Sequence, residues 1–305
     1  MVDLLADAKA GVDVIIGGGQ YFKDPATQEM HFVLAITKPA DKSKHLIELG
    51  FLPHGIAVDP LNPSRIIVCE KIGPGAALVD LQALSVIQPI TSPNNRWFYG
   101  HCAFSADGKT IYTTETYQKD KRGAIVERDA ITLEELGEFP SFGESPHECQ
   151  LLDSGNTMAV TNGGGNMNGG LPNISYIDVN SRELTRQEKP TTRALNTGHF
   201  YTSSDQDLVV ASAPRDGNKL GLGGISIQPY GKAMKTVSSP KKVVSQMRGE
   251  SLSVTIHNDV ALVTHPDGNM ISFWNTHTRK FIQQLPFEKP RGVTLSHDKR
   301  FFIVS

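Results

Sequence analysis

The sequence predicts an all-β protein, a β-propeller built from four-stranded blades. Three observations carry that expectation. Six segments share one pattern, a Pro or Gly, then a polar residue, then a short apolar strand, and their starts lie 47, 46, 52, 51 and 41 residues apart. Each start is followed by a turn and further β-rich runs, so a unit of about 40–50 residues holds four strands, the period of a propeller blade. Long helical periodicity is nearly absent, which removes the crossover helices that a parallel α/β sheet requires.

The elements follow in chain order. Residues 1–12 read as an N-terminal tail or short helix. Strands near Val14–Gly17, His31–Thr37 and His45–Leu49 resemble the second to fourth strands of a blade that lacks its first. The repeats then open at Pro53-His54, Gly100-His101, Pro146-His147, Gly198-His199, Gly249-Glu250 and Pro290-Arg291. Asp107-Gly108, Ser154-Gly155 and Asp205-Gln206 supply the turn before a second strand, since Gly, Asp and Asn adopt hairpin backbone conformations readily. After Arg291 only two strands remain. Seven blades are the preferred count and six the alternative, with the N- and C-terminal strands pairing to close the propeller. Residues 1–305 are read as one domain, expected to be a monomer.

Composition excludes several classes. The 30 basic and 32 acidic residues leave a formal charge of −2 and no footprint for nucleic acid. No run approaches the ~20 apolar residues of a transmembrane helix, and Met1–Gly19 has neither the basic start nor the apolar core of a secretory signal. Cys69, Cys102 and Cys149 are too scattered for a disulfide framework or a cysteine-based zinc site. Gly163–Gly170 is glycine-rich, but no helix follows and Pro172 intervenes, so it reads as a flexible loop and not as a phosphate cradle.

The repeats also place chemistry. In a propeller the first strand of each blade lines the central channel, so equivalent positions form a ring about the axis. His54, His101, His147 and His199 hold one such position in four successive repeats, and Glu250 and Arg291 hold it in the next two. Repeated histidines can be copied for structural reasons, bonding the backbone of a neighbouring blade. They also form a ligand set, because neutral imidazole binds iron, copper and zinc. One transition-metal ion is expected, Fe(II), Cu(II) or Zn(II), held by the four histidines, with positions open for a small ligand. The second strands end near the same level at Glu70, Glu115, Asn162, Ser212 and His265, polar groups suited to accept the outer N–H of a bound imidazole. Glu115 is the preferred one of these. No Gly-x-Ser-x-Gly nucleophile motif is present.

Pro53–Pro60, Phe98–Glu115 with its Phe-Tyr-Gly-His block, Gly137–Glu148 and the Asn162-Gly163-Gly164 run resemble a family of bacterial β-propellers known as a domain of unknown function. That family is similar to YVTN/WD-repeat proteins and is often encoded beside imelysin-type iron-uptake proteins. The resemblance implies a periplasmic protein exported by a twin-arginine signal and partnered with iron-uptake proteins. Three functions are in view: metal binding in periplasmic iron handling, a metal-dependent oxidoreductase on the same site, and a metal-free interaction scaffold.

Overall fold

The structure, a computed structural model, describes residues 14–23, 25–215 and 221–305. The tail expected over residues 1–12 lies outside the described residues. The chain divides into two compact units, Met1–Ala159 with Ile177–Glu183 and Val160–Tyr176 with Leu184–Ser305.

In the first unit β1 (Ile15–Phe22), β2 (Met30–Lys38) and β3 (Ser43–Leu49) form a three-stranded antiparallel sheet. Two four-stranded blades follow in chain order: β4 (Pro53–Val58), β5 (Arg65–Glu70), β6 (Gly75–Asp80) and β7 (Ser85–Thr91), then β8 (Arg96–Phe104), β9 (Thr110–Tyr117), β10 (Arg122–Asp129) and β11 (Glu135–Glu144). The blade of β12 (Pro146–Leu152), β13 (Thr157–Asn162), β14 (Asn173–Asp178) and β15 (Leu184–Glu188) contains the unit boundary. The second unit continues with β16 (Phe200–Thr202), β17 (Leu208–Ser212), β18 (Gly224–Gln228) and β19 (Lys235–Thr236). A last full blade has β20 (Val254–His257), β21 (Val260–His265), β22 (Met270–Asn275) and β23 (Phe281–Pro286), and β24 (Val293–Leu295) pairs with β25 (Phe302–Val304).

These are the four-stranded blades of a β-propeller. The described strands make six blades, one of three strands and five of four, and not the seven preferred from the sequence. The difference lies at the C-terminal end, where β24 and β25 are three residues each and pair only with one another, a ribbon too small for a blade. Among the described residues no ladder joins that ribbon to β1–β3. No helix of the described residues is long and apolar enough to cross a membrane.

Middle strands are buried on both faces, and their composition shows why. β5 contributes Ile66, Ile67, Val68 and Cys69, each at 0% exposure, so both faces of the strand meet neighbouring sheets. In the first unit Ile67, Cys69, Leu78, Phe98, Cys102, Phe104 and Ile111 form one core cluster. In the second, Val209, Ile225, Ile227, Met247, Val263 and Trp274 belong to another. The transfer of such side chains from water, about 1.5–3 kcal/mol each, holds the sheets face to face.

Candidate metal centre

Three of the four expected ligands lie in the first unit, on the first strands of three successive blades: His54 on β4, His101 on β8 and His147 on β12. The structure brings them together. Ring centroids are 5.0 Å apart for His54 and His101, 5.1 Å for His54 and His147, and 5.2 Å for His101 and His147. One ring nitrogen from each lies within 4.8 Å of those of the others. His54 Nε2 and His147 Nε2 are 3.2 Å apart.

Glycines make this approach possible. A Cβ on Gly55 would meet the Gly100 carbonyl and sit 2.5 Å from His101 Cα, so β4 and β8 touch backbone to backbone. Gly100 has φ of +135°, a conformation L side chains rarely adopt, and a Cβ there would sit 2.7 Å from His147 Nδ1. The same residue breaks the β8–β9 register between Phe98 and Cys102, a bulge that re-aims the strand just before His101. The His-Gly and Gly-His pairs of the sequence are therefore one device seen from two strands.

Backbone carbonyls orient two of the imidazoles. His147 Nδ1 lies 3.1 Å from the carbonyl of Tyr99. In the second unit His199, one residue before β16, places Nδ1 2.6 Å from the carbonyl of Leu252. A carbonyl only accepts, so each Nδ1 carries the hydrogen and each neutral ring presents its Nε2 lone pair. This is the outer N–H contact that fixes a metal-binding tautomer.

The strand-end side chains expected to do that job are bonded within their own blades. Glu115 is fully buried. Its Oε2 accepts from Arg96 Nε (2.6 Å), and its Oε1 accepts from Arg128 Nη2 and Thr113 Oγ1 (2.8 Å each). Asn162 donates from Nδ2 to Asn173 Oδ1 (3.0 Å) and Ser175 Oγ (3.2 Å). Glu70 accepts the Gly75 N–H through Oε2 at 2.8 Å, and burial raises its carboxyl above the ordinary value. Glu250 and Arg291 face each other, Oε1 to Nη1 at 3.6 Å, in stretches that precede β20 and β24.

His265 belongs to a buried chain. Its Nδ1 lies 3.0 Å from Ser251 Oγ and its Nε2 2.8 Å from Ser272 Oγ, which also accepts from Trp274 Nε1 at 2.8 Å. Burial pulls the imidazole down to about 3. The unfolded chain takes up this proton near pH 6.5, whereas the folded chain does so only near pH 3. The stability contributed by the neutral ring is complete above about pH 6.5 and is lost as pH falls towards 3. At about 1.4 kcal/mol per unit the total is on the order of 5 kcal/mol. A His265→Gln variant should show a flatter loss of stability between pH 6.5 and 4 in denaturant titrations; an unchanged slope would remove His265 as its source.

Residues missed in the sequence stand one position earlier. The Thr114 hydroxyl lies 3.0 Å from the carbonyls of both His101 and His147 and accepts the His101 N–H at 3.1 Å. Thr161 donates to the Gly198 carbonyl at 2.7 Å, and Thr264 to that of Arg291 at 2.8 Å. Each ties the second strand of one blade to the opening of the next. A further miss is Arg215, which is buried, and whose guanidinium donates to the carbonyls of Gly164, Gly165, Asn166 and Gly170. The Gly163–Gly170 stretch, expected to be a flexible loop, is wrapped around that cation.

Fold and site together define a β-propeller with a histidine cluster that could hold a metal ion. Residues 48–305 match the family described as "Protein of unknown function (DUF1513)", and the chain belongs to that family. No curated protein matches it. Among solved structures the chain is similar to the hydrazine synthase of Kuenenia stuttgartiensis, with a TM-score of 0.71 and 13% identity over 90% of this chain and 88% of that one. At that identity the likeness shows the fold alone.

Proposed function

We propose that this protein binds one transition-metal ion through His54, His101, His147 and His199 on the propeller axis. Iron is the favoured metal, with copper and zinc as alternatives, and the setting we infer is periplasmic iron handling. The single observation that supports the reading is the 3.2 Å separation of His54 Nε2 and His147 Nε2. Two nitrogens each about 2.0–2.1 Å from one ion lie about 2.9 Å apart at a right angle and about 3.3 Å apart at the tetrahedral angle. The observed spacing falls within that interval. His199 is assigned as the fourth ligand because it repeats the position of the other three and its Nδ1 is likewise directed at a backbone carbonyl.

The donor set suits such an ion. Four neutral imidazoles favour borderline metals over calcium or magnesium, and they leave the ion's charge uncompensated, so an anionic or neutral small ligand would complete the coordination. The compartment and the iron-uptake partners rest on the family resemblance.

The test is elemental analysis of protein purified without a histidine tag and offered iron, copper and zinc in turn. About one equivalent of a single metal is expected. Protein that stays metal-free after all three would sink the proposal.

A further inference from the structure

We propose that Thr114 is a positioning residue of the metal centre, the group that fixes the spacing of His101 and His147, an inference that rests on the metal-binding reading above. Thr114 lies on β9, fully buried, with Ile125 of β10 as its partner on one side. On the other side the β8–β9 ladder pairs Phe98 with Glu115 and resumes at Cys102 with Thr113. Tyr99, Gly100 and His101 are left opposite Thr114 alone, in a bulge outside the regular backbone ladder.

The Thr114 hydroxyl stands in for the interrupted ladder. It accepts the His101 N–H at 3.1 Å and lies 3.0 Å from the carbonyls of His101 and His147, which share its one hydrogen. A single oxygen thus links the main chains of two residues assigned as ligands, one on β8 and one on β12. The same bulge supplies the Tyr99 carbonyl, 3.1 Å from His147 Nδ1. Relaxing the bulge would therefore move the His101 ring and the group that aims His147 together. Branching at Cβ limits the rotamers of threonine, so the hydroxyl is itself held stiffly.

Another blade shows the same bridge without a ligand on it. Thr264 on β21 accepts the Ser253 N–H at 3.0 Å and donates to the Arg291 carbonyl at 2.8 Å. Neither Ser253 nor Arg291 carries an imidazole, so this bridge joins backbone and nothing more. Thr114 differs in what its bridge carries, two histidines whose ring centroids lie 5.2 Å apart. Metal–ligand distances are met only within about ±0.2 Å, so a small shift of either strand reaches the ion.

Cobalt(II) chloride titrated into the full chain, purified without a histidine tag, tests the proposal. Affinity is read against a competing chelator, and geometry from the visible absorption of the bound ion. Thr114→Val removes the hydroxyl and should bind about 10–100-fold more weakly, with an altered spectrum. Thr114→Ser should restore the wild-type spectrum and an affinity close to wild type. Thr264→Val should lose thermal stability as Thr114→Val does, yet bind cobalt like wild type; a merely structural threonine would behave so at both positions. Thr114→Ala carries the same expectation as the valine variant if the latter does not fold. Wild-type affinity and spectrum in the variant lacking the Thr114 hydroxyl would overturn the assignment and leave the histidine centre standing. Wild-type protein that takes up no cobalt would overturn both.

Discussion

Replacing His54 and His147 together with alanine is expected to remove the one metal equivalent assigned to the histidine cluster, while the metal-free protein unfolds within a few degrees of wild type. The two halves of this expectation have separate causes. Both rings are half-buried, and their nitrogens approach to 3.2 Å, so they contribute adjacent positions of one coordination sphere. Removing them leaves too few donors in the first unit to hold an ion. The folded chain loses far less, since a hydrogen bond such as that from His147 Nδ1 to the Tyr99 carbonyl contributes only about 1 kcal/mol net. Metal content by elemental analysis and a melt in chelator read the two effects independently. Metal retained by the double variant would place the site elsewhere.

Glu115→Ala should do the reverse, destabilising the fold by about 3–5 kcal/mol and leaving metal content as in wild type. The carboxylate sits fully buried between Arg96 and Arg128, whose side chains are themselves only 6% and 3% exposed. Burial pulls the Arg96 guanidinium down, yet its pairing with Glu115 and Glu135 outweighs this and leaves it above the ordinary value. Deleting Glu115 leaves Arg128 in the blade interior with Glu135, reached by its Nη2 at 3.0 Å, and makes Arg96 depend on Glu135 (Nη2, 2.7 Å) and Glu138 (Nη1, 2.5 Å) alone. Chemical denaturation reads the loss, and elemental analysis checks that the imidazoles are untouched. A variant of wild-type stability that loses its metal would return Glu115 to the role first expected of it.

The blade pattern and the three meeting histidines were legible because a propeller repeats local grammar: Pro or Gly, a polar residue, a strand. Blade number was less legible, since it depends on which end strands pair, a non-local matter that the spacing of the repeats leaves open. The orienting groups were read at the right level of the strand and on the wrong face. Side chains alternate along a strand, so moving one residue changes what is touched. Glu115, Asn162 and His265 point into their own blades, whereas Thr114, Thr161 and Thr264 reach the next blade. The threonine recurring before each was the available signal. Glu250 and Arg291 follow the same repeat as the histidines, but their strands open four and two residues later, at Val254 and Val293.

The carbonyls of Tyr99 and Leu252 have a consequence for how this site can change over evolutionary time. Groups that aim His147 and His199 belong to the main chain, and no exchange of side chain deletes them. Residues 99 and 252 can drift in identity while the imidazoles keep their tautomer. Under the proposed metal-binding reading, exchange of a histidine for cysteine or carboxylate is therefore the open route by which relatives could alter metal preference on an unchanged scaffold.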